Sequence, residues 1–259
     1  MENKSLKVAT AFSGGLAAVE FALKYENINH EIIFACEYDK YARQQYLNFH
    51  ENPKVFYKDI RNLDARKYLN KIDLFVWGSP CQDISIAGKR EGLDGSKSSL
   101  FFEGLRVQQE MLPKIFIFEN VKGLFSSNKG KDYKIICNLF RKQGYNIVPL
   151  LMNTKGYGIP QNRERVFILG FLDEKEYHSY VEPKPFKLNV LLKDLLEDNV
   201  DSKYFISKHL INRLVYKRDN GRGRFNPISE NKDYSYCLDT KCGGGRDTSN
   251  FIICEEKGI

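Results

Sequence analysis

From Leu6 to Phe171 the chain alternates two textures. Short runs rich in β-branched and aromatic residues, LKVATAF, EIIFACEY, KVFYKDI, IDLFVWG, KIFIFENV, YNIVPLLMN and RVFILGF, read as strands. Between them, LAAVEFALKY, KYARQQYLNFH, SLFFEGLRVQQEML and DYKIICNLFRKQG place apolar residues three and four apart, the helical period. This order predicts an α/β fold over residues 1–175, a doubly wound, mostly parallel sheet with helices on both faces. Ligands in such folds bind beyond the carboxyl ends of the strands. The residues that follow each run therefore become candidates: Ser13 to Gly15, Glu37 to Asp39, Asp59, Ser79 to Gln82, Glu119 and Asn120. After ILGFLDEKEY the pattern breaks. VEPKPFK reads as a linker, LNVLLKDLLEDN as a short helix and DTKCGGGRDTSNF as a glycine-rich loop leading to a strand. Residues 176–259 are thus expected to form a smaller, irregular region suited to recognition rather than core building.

A chain of 259 residues with 42% hydrophobic content can fill the core of one large domain with an appendage. The six cysteines and four histidines include no CxxC pair and no zinc spacing, so a reduced chain without a structural metal is expected. MENKSLKVATAFSGG has no signal-peptide core, and no window approaches the roughly 20 apolar residues of a membrane span. A soluble, cytoplasmic protein follows as the expectation. The net charge is +7, and residues 1–170 hold all of the surplus, with 25 cations against 18 anions. Lys203 to Arg224 adds seven cations against Asp219 alone, which suits a polyanionic partner or a solvated helix face.

The strand ends carry specific chemistry. FSGG running into a helix brings backbone N–H groups close to a ligand. It lacks both the GxGxxG spacing of a dinucleotide site and the Gly-Lys-Ser/Thr of a phosphate loop. Glu37 could accept from a ribose hydroxyl pair and Asp59 from an exocyclic amine, while a surface carboxylate or a helix cap is the plainer reading of each. Pro80 aims the chain as it leaves its strand, directly ahead of Cys81, which reads as a buried thiol or a nucleophile. Glu119 ends an apolar strand, where desolvation would favour its protonated form. Arg163 and Arg165, two apart on an extended segment, share one face and could reach a single ligand or pair with nearby acids.

Together, FSGG with its helix, EYDKYA, KDI, GSPCQDIS, SLFFE, FENVKGL and GYGIPQNRERVFILG resemble motifs I to VI and VIII of the DNA (cytosine-5)-methyltransferases of bacterial and phage restriction-modification systems. The match runs through residues 7–170 in family order. The resemblance implies a Rossmann-like methyltransferase fold, S-adenosyl-L-methionine as cofactor and double-stranded DNA as partner. It implies that Cys81 attacks C6 of a flipped-out cytosine, Glu119 engages N3 and the 4-amino group, and Arg165, supported by Arg163, binds O2. It further implies that Phe12, Ser13, Gly14 and Gly15 line the methionine side, Glu37 the ribose, Tyr38 the adenine face, Asp59 and Ile60 the adenine edge, and Pro80 and Leu100 the pocket wall. Gln82, Ser85, Asn120 and Gln161 fall beside the substrate, and Ser85 to Ser99 resembles the family's mobile loop.

Two departures stand out. FSGGLAA lacks one glycine of the usual first motif, and the ninth and tenth motifs are not found. A chain cut short, a second subunit that supplies those motifs and a degenerate relative each fit this. An RNA cytosine-5 methyltransferase and a non-catalytic nucleic-acid-binding relative are the alternatives to a DNA enzyme.

Overall fold

The computed structural model describes residues 5–80, 100–205, 207, 209, 228–229, 232–237 and 252–253. In chain order the first elements are β1 (Leu6–Ala11), α1 (Ala18–Tyr25), β2 (His30–Cys36), α2 (Lys40–Phe49), β3 (Val55–Tyr57) and β4 (Leu74–Trp77). They are followed by α3 (Leu100–Met111), β5 (Ile115–Val121), α4 (Lys131–Lys142), β6 (Asn146–Asn153), β7 (Gln161–Asn162), β8 (Glu164–Phe171) and α5 (Glu174–Ser179). Seven of the strands form one sheet in the order β3-β2-β1-β4-β5-β8-β6. The pairs β1–β2, β1–β4, β2–β3 and β4–β5 are parallel, whereas β8 runs antiparallel to β5. The sheet is thus the expected mostly parallel one, and the direction of β8 is a feature that the apolar pattern does not encode.

Strict strand-helix alternation fails between β3 and β4. Two 3-10 turns, Ile60–Asn62 and Arg66–Tyr68, replace a helix there. The buried residues of this link, Ile60, Leu63, Ala65 and Ile72, begin with one helical interval of three but go on at two and seven, so no sustained helical stripe faces the core. Asp59 instead caps the first turn, accepting from Arg61 N at 3.0 Å.

Strand order reverses between β1 and β4, the switch point at which doubly wound sheets open a crevice. Register carries one row across the carboxyl ends: Tyr57 opposite Cys36, Cys36 opposite Ala11, Ala11 opposite Trp77 and Trp77 opposite Phe118. Below this row the core is aromatic. Trp77 lies 4.7 Å from Phe118, 5.7 Å from Phe101 and 6.1 Å from Phe140, ring to ring. Burying each such side chain contributes about 1.5–3 kcal/mol, so the ends of β4 and β5 stand on a stiff base. The indole N–H of Trp77 donates to Gln108 Oε1 at 2.8 Å, which leaves that buried donor satisfied.

The chain divides into two compact units, residues 1–151 with 165–182, and residues 152–164 with 183–259. Within the second, β7 pairs in parallel with β10 (Ser235–Tyr236), and β9 (Ile228–Ser229) pairs with β11 (Ile252–Ile253). Where LNVLLKDLLEDN predicts a helix, only a 3-10 turn forms, Leu192–Leu195. Leu192 is buried but Leu195 is 61% exposed, so the apolar stripe has no core to cover and a longer helix gains little. Among the described residues no helix is long and apolar enough to cross a membrane.

Candidate active site

The turn after β1 is tightly specified. Phe12 has φ 57° and Gly14 φ 68°, the left-handed region, which is costly for Phe and free for Gly. Ser13 N donates to Cys36 O at 3.2 Å, and its hydroxyl lies 2.8 Å from Thr10 Oγ1. Gly14 N donates to Glu37 Oε2 at 2.9 Å, while Asp39 N donates to Glu37 Oε1 at 2.9 Å. Glu37 therefore bridges the first two strand ends. A carboxylate offers about four acceptor positions, so two such bonds leave room for a hydroxyl pair.

Asp59 sits differently. Arg61 donates to it through Nε, at 2.9 and 3.1 Å to Oδ1 and Oδ2, and through Nη2 at 2.6 Å to Oδ2. These bonds hold the Asp59 carboxyl below its usual range. The same guanidinium lies 5.9 Å from the ring centroid of Tyr38, a side chain 74% exposed. An arginine thus occupies both the acid and the aromatic face that the resemblance assigns to adenine. Ile60 is buried in the core, 3% exposed, and offers its carbonyl to Arg106 rather than its side chain to a cleft.

Beyond β4 the chain passes close to the end of β5. A methyl group on Gly78 would lie 2.9 Å from Glu119 O and 3.0 Å from Glu119 Oε2, so only glycine fits. Ser79 is buried, and its carbonyl accepts from Asn120 Nδ2 at 3.3 Å. Asn120, 3% exposed, also accepts from Val121 N at 2.8 Å, so its side chain ties the β4 turn to β5. Pro80 is exposed and Leu100 packs against the core. Cys81, Gln82, Ser85 and the rest of the segment to Ser99 lie outside the described residues.

Glu119 and Arg165 meet. Arg165 Nε lies 2.9 Å from Glu119 Oε1, with side-chain exposures of 19% and 36% respectively. The carboxylate is therefore neither sealed from solvent nor without a counterion, and the expectation of a desolvated acid does not describe it. Antiparallel pairing sets Arg165 opposite Val121, two residues beyond Glu119, which brings the two side chains to one end of the sheet.

In the second unit, Arg163 Nη1 donates to Cys237 Sγ at 3.3 Å. Gln161, in β7, accepts from Thr154 Oγ1 at 2.6 Å through its backbone carbonyl. Two groups here escaped the sequence reading. Lys155 Nζ lies 4.7 Å from the Tyr234 ring, and Lys232 Nζ lies 5.4 Å from Tyr234 and 4.7 Å from Tyr236. This cation and aromatic cluster could have been suspected from KDYSY, but Lys155 is 79 positions away. In the first unit, Arg106 donates to Ile60 O and Leu63 O at 3.0 Å each and pairs with Glu103 and Glu110, clamping the Asp59 turn to α3. The spacing of Glu103, Arg106 and Glu110 along one helix face was its only visible signal.

Residues 12–250 match the family model described as C-5 cytosine-specific DNA methylase. The chain belongs to this family. Among its methylase relatives, the orphan methyltransferase M.SPRI of Bacillus phage SPR is 32% identical over 246 residues, covering 84% of this chain and 56% of that protein. The type II methyltransferase M.HpaII of Haemophilus parainfluenzae is 36% identical over 199 residues, 75% of this chain and 55% of that protein. The chain spans about half the length of the curated relatives it matches. A crystal structure of S. pombe Dnmt2 methyltransferase superposes with a TM-score of 0.73 at 22% identity, over 95% of this chain and 76% of that one, and this likeness establishes the methyltransferase fold.

Proposed function

We propose that the chain is the catalytic part of an enzyme that transfers a methyl group from S-adenosyl-L-methionine to C5 of a cytosine flipped out of duplex DNA. The observation that carries this reading is the Glu119–Arg165 pair pressed against Gly78, immediately ahead of Ser79, Pro80 and Cys81 in a methylase of this family. The residues around the first two strand ends fit the cofactor: Gly14 adopts φ 68° with open space where a Cβ would stand, and Glu37 keeps spare acceptor capacity. When bound, the cofactor supplies an electrophilic methyl on a sulfonium. Phe12 to Gly15 would hold its methionine end, Glu37 its ribose and Tyr38 its adenine, with Pro80 and Leu100 in the pocket wall. Arg61 must leave Asp59 before that carboxylate can accept the adenine amine.

The chemistry asked of the chain is covalent. Cys81, as thiolate, bonds to C6, and the π pair of the C5–C6 double bond is displaced over C5, C4 and N3, which makes C5 nucleophilic. Glu119 engages the 4-amino group and passes a proton to N3, neutralising the negative charge that the attack pushes there. Arg165 takes Oε1 of Glu119 and so fixes the carboxyl with Oε2 on the Gly78 side. After C5 accepts the methyl group and S-adenosylhomocysteine is left behind, a water molecule takes the C5 proton, the freed electron pair re-forms the C5–C6 double bond, and the C6–S bond breaks with Cys81 departing as thiolate. Flipping the base costs a few kcal/mol of stacking and pairing, offset by pocket contacts. Lys155, Lys232, Tyr234 and Tyr236 suit phosphate and base contacts in the second unit.

Transfer of label from methyl-tritiated cofactor to duplex DNA tests the reading. Label recovered as 5-methylcytosine with the natural sequence, and absent with Cys81→Ala, is the expected result. Label transferred equally by Cys81→Ala, or recovered on adenine, would overturn it.

A further inference from the structure

Behind the glycine turn lies a buried polar cluster that the chemistry above leaves unused. Glu20, in α1, is 1% exposed, and its Oε1 accepts from the hydroxyl of Tyr46 in α2 at 2.8 Å. Its Oε2 is buried without a protein partner. His50, which ends α2, is 6% exposed, and its Nε2 lies 2.8 Å from the carbonyl of Leu16. A carbonyl only accepts, so Nε2 donates a proton in this bond, while Nδ1 is buried without a partner. Phe21 packs edge-on against the imidazole at 4.5 Å and Tyr46 lies 5.2 Å from it.

Burying an acid and an imidazole with one atom of each unpaired is unfavourable, all the more beside a cluster in which Tyr46 packs with the apolar Ala17, Ala35 and Phe56. What they touch suggests why they are there. Phe12, Gly14 and Ala17 are all left-handed, three such residues within six, and the N-terminus of α1 has no side-chain cap. A turn so strained keeps its shape only when its surroundings over-determine it. His50 grips the turn at Leu16, next to the left-handed Ala17, while the Tyr46–Glu20 bond locks α2 to α1 on either side of that grip.

We propose that His50, braced by Tyr46 and Glu20, is a positioning residue that holds the glycine turn in the conformation that receives the methyl donor, acting through the Leu16 carbonyl. This rests on the reading of Phe12 to Gly15 as the methionine side of the cofactor site. His50→Phe keeps the aromatic shape and removes the donor, whereas His50→Gln restores an N–H at similar reach.

Two readouts are needed, both on the protein without DNA. Amide hydrogen exchange of residues 13–17 should quicken in His50→Phe while the sheet strands keep their protection. Calorimetric affinity for S-adenosylhomocysteine should weaken about three- to tenfold, the size expected for one lost tie, and His50→Gln should recover both. In turnover, the KM for the methyl donor should rise with kcat at saturation nearly unchanged. Unchanged exchange and affinity in folded His50→Phe would overturn the proposal, as would a uniform loss of protection across the sheet. If His50→Phe does not fold, Tyr46→Phe, which removes only the brace, should move both readouts the same way, and no movement would overturn the proposal. Failure of the natural sequence to bind S-adenosylhomocysteine would instead sink the cofactor reading, and the exchange experiment would still decide what His50 does.

Discussion

The first and third strand ends lie along the same edge of the sheet and are held in opposite ways. At the end of β1 the turn is fixed by backbone donors, the Glu37 carboxylate and the buried His50, so its strained residues have little freedom to relax. At the end of β3, Asp59 is held by one arginine whose side chain is 54% exposed, an ion pair that solvent and salt can weaken. At the proposed cofactor site, the first kind of tie would position the ligand before it arrives. The second would have to break to let it in. The β4 turn resembles the first kind, since Asn120 anchors Ser79 from a buried position and Gly78 leaves no space between the backbones.

The largest effect is therefore expected where a buried tie has no slack. Gly78→Ala drives a methyl group into the carbonyl and carboxylate of Glu119, and overpacking of this kind costs about 1–3 kcal/mol of stability. Methyl transfer should fall far more than stability, by about a hundredfold or more if Glu119 leaves its position. A Gly78→Ala protein with full activity would mean that the β4 and β5 ends do not cooperate in the chemistry.

A second, intermediate effect concerns the acid beneath the β1 turn. Burial pushes the Glu20 carboxyl above its ordinary value of 4.5, against the lowering effect of the Tyr46 hydroxyl. Between 4.5 and the raised value the folded chain keeps a proton that the unfolded chain has lost. Stability is then undiminished below 4.5 and declines as pH rises through that window. Thermal unfolding of Glu20→Gln, which carries no proton to lose, should show a flatter decline as pH rises above 4.5 than the natural sequence. A parallel decline would show that Glu20 does not titrate in this way.

The smallest effect belongs to the exposed pair. Arg61→Ala should leave thermal stability unchanged within error, because an ion pair so open to water contributes little. Affinity for S-adenosylhomocysteine should rise a few-fold, since Asp59 and Tyr38 no longer have to shed the guanidinium. Weaker binding in Arg61→Ala would assign the arginine to the ligand instead.

The same contrast explains what could be read from the sequence. Buried central strands announce themselves as apolar runs, so the residues that follow β1, β2, β4 and β5 were legible, and the sheet does bring Gly14 to Glu37 and Asn120 to Ser79. Ties between distant positions were not. Residues 20, 46 and 50 become neighbours only when α1 packs on α2, and Lys155 reaches Tyr234 only through the pairing of β7 with β10. The capture of Asp59 by Arg61 is local, but nothing in KDIR distinguishes a ligand acceptor from an acid already satisfied. In the second unit, short strands and 3-10 turns leave no sustained period to read.

Covalent attack by Cys81 is the central claim, and duplex DNA carrying 5-fluorocytosine tests it most directly. Fluorine at C5 cannot leave as a proton, so the enzyme that has attacked C6 and delivered its methyl group stays attached. In the presence of S-adenosyl-L-methionine, a protein–DNA adduct that survives denaturant is expected, with its peptide linkage at Cys81 and none formed by Cys81→Ser. An adduct that persists in Cys81→Ser, or methyl transfer to unmodified cytosine with no adduct on the fluorinated base, would contradict it.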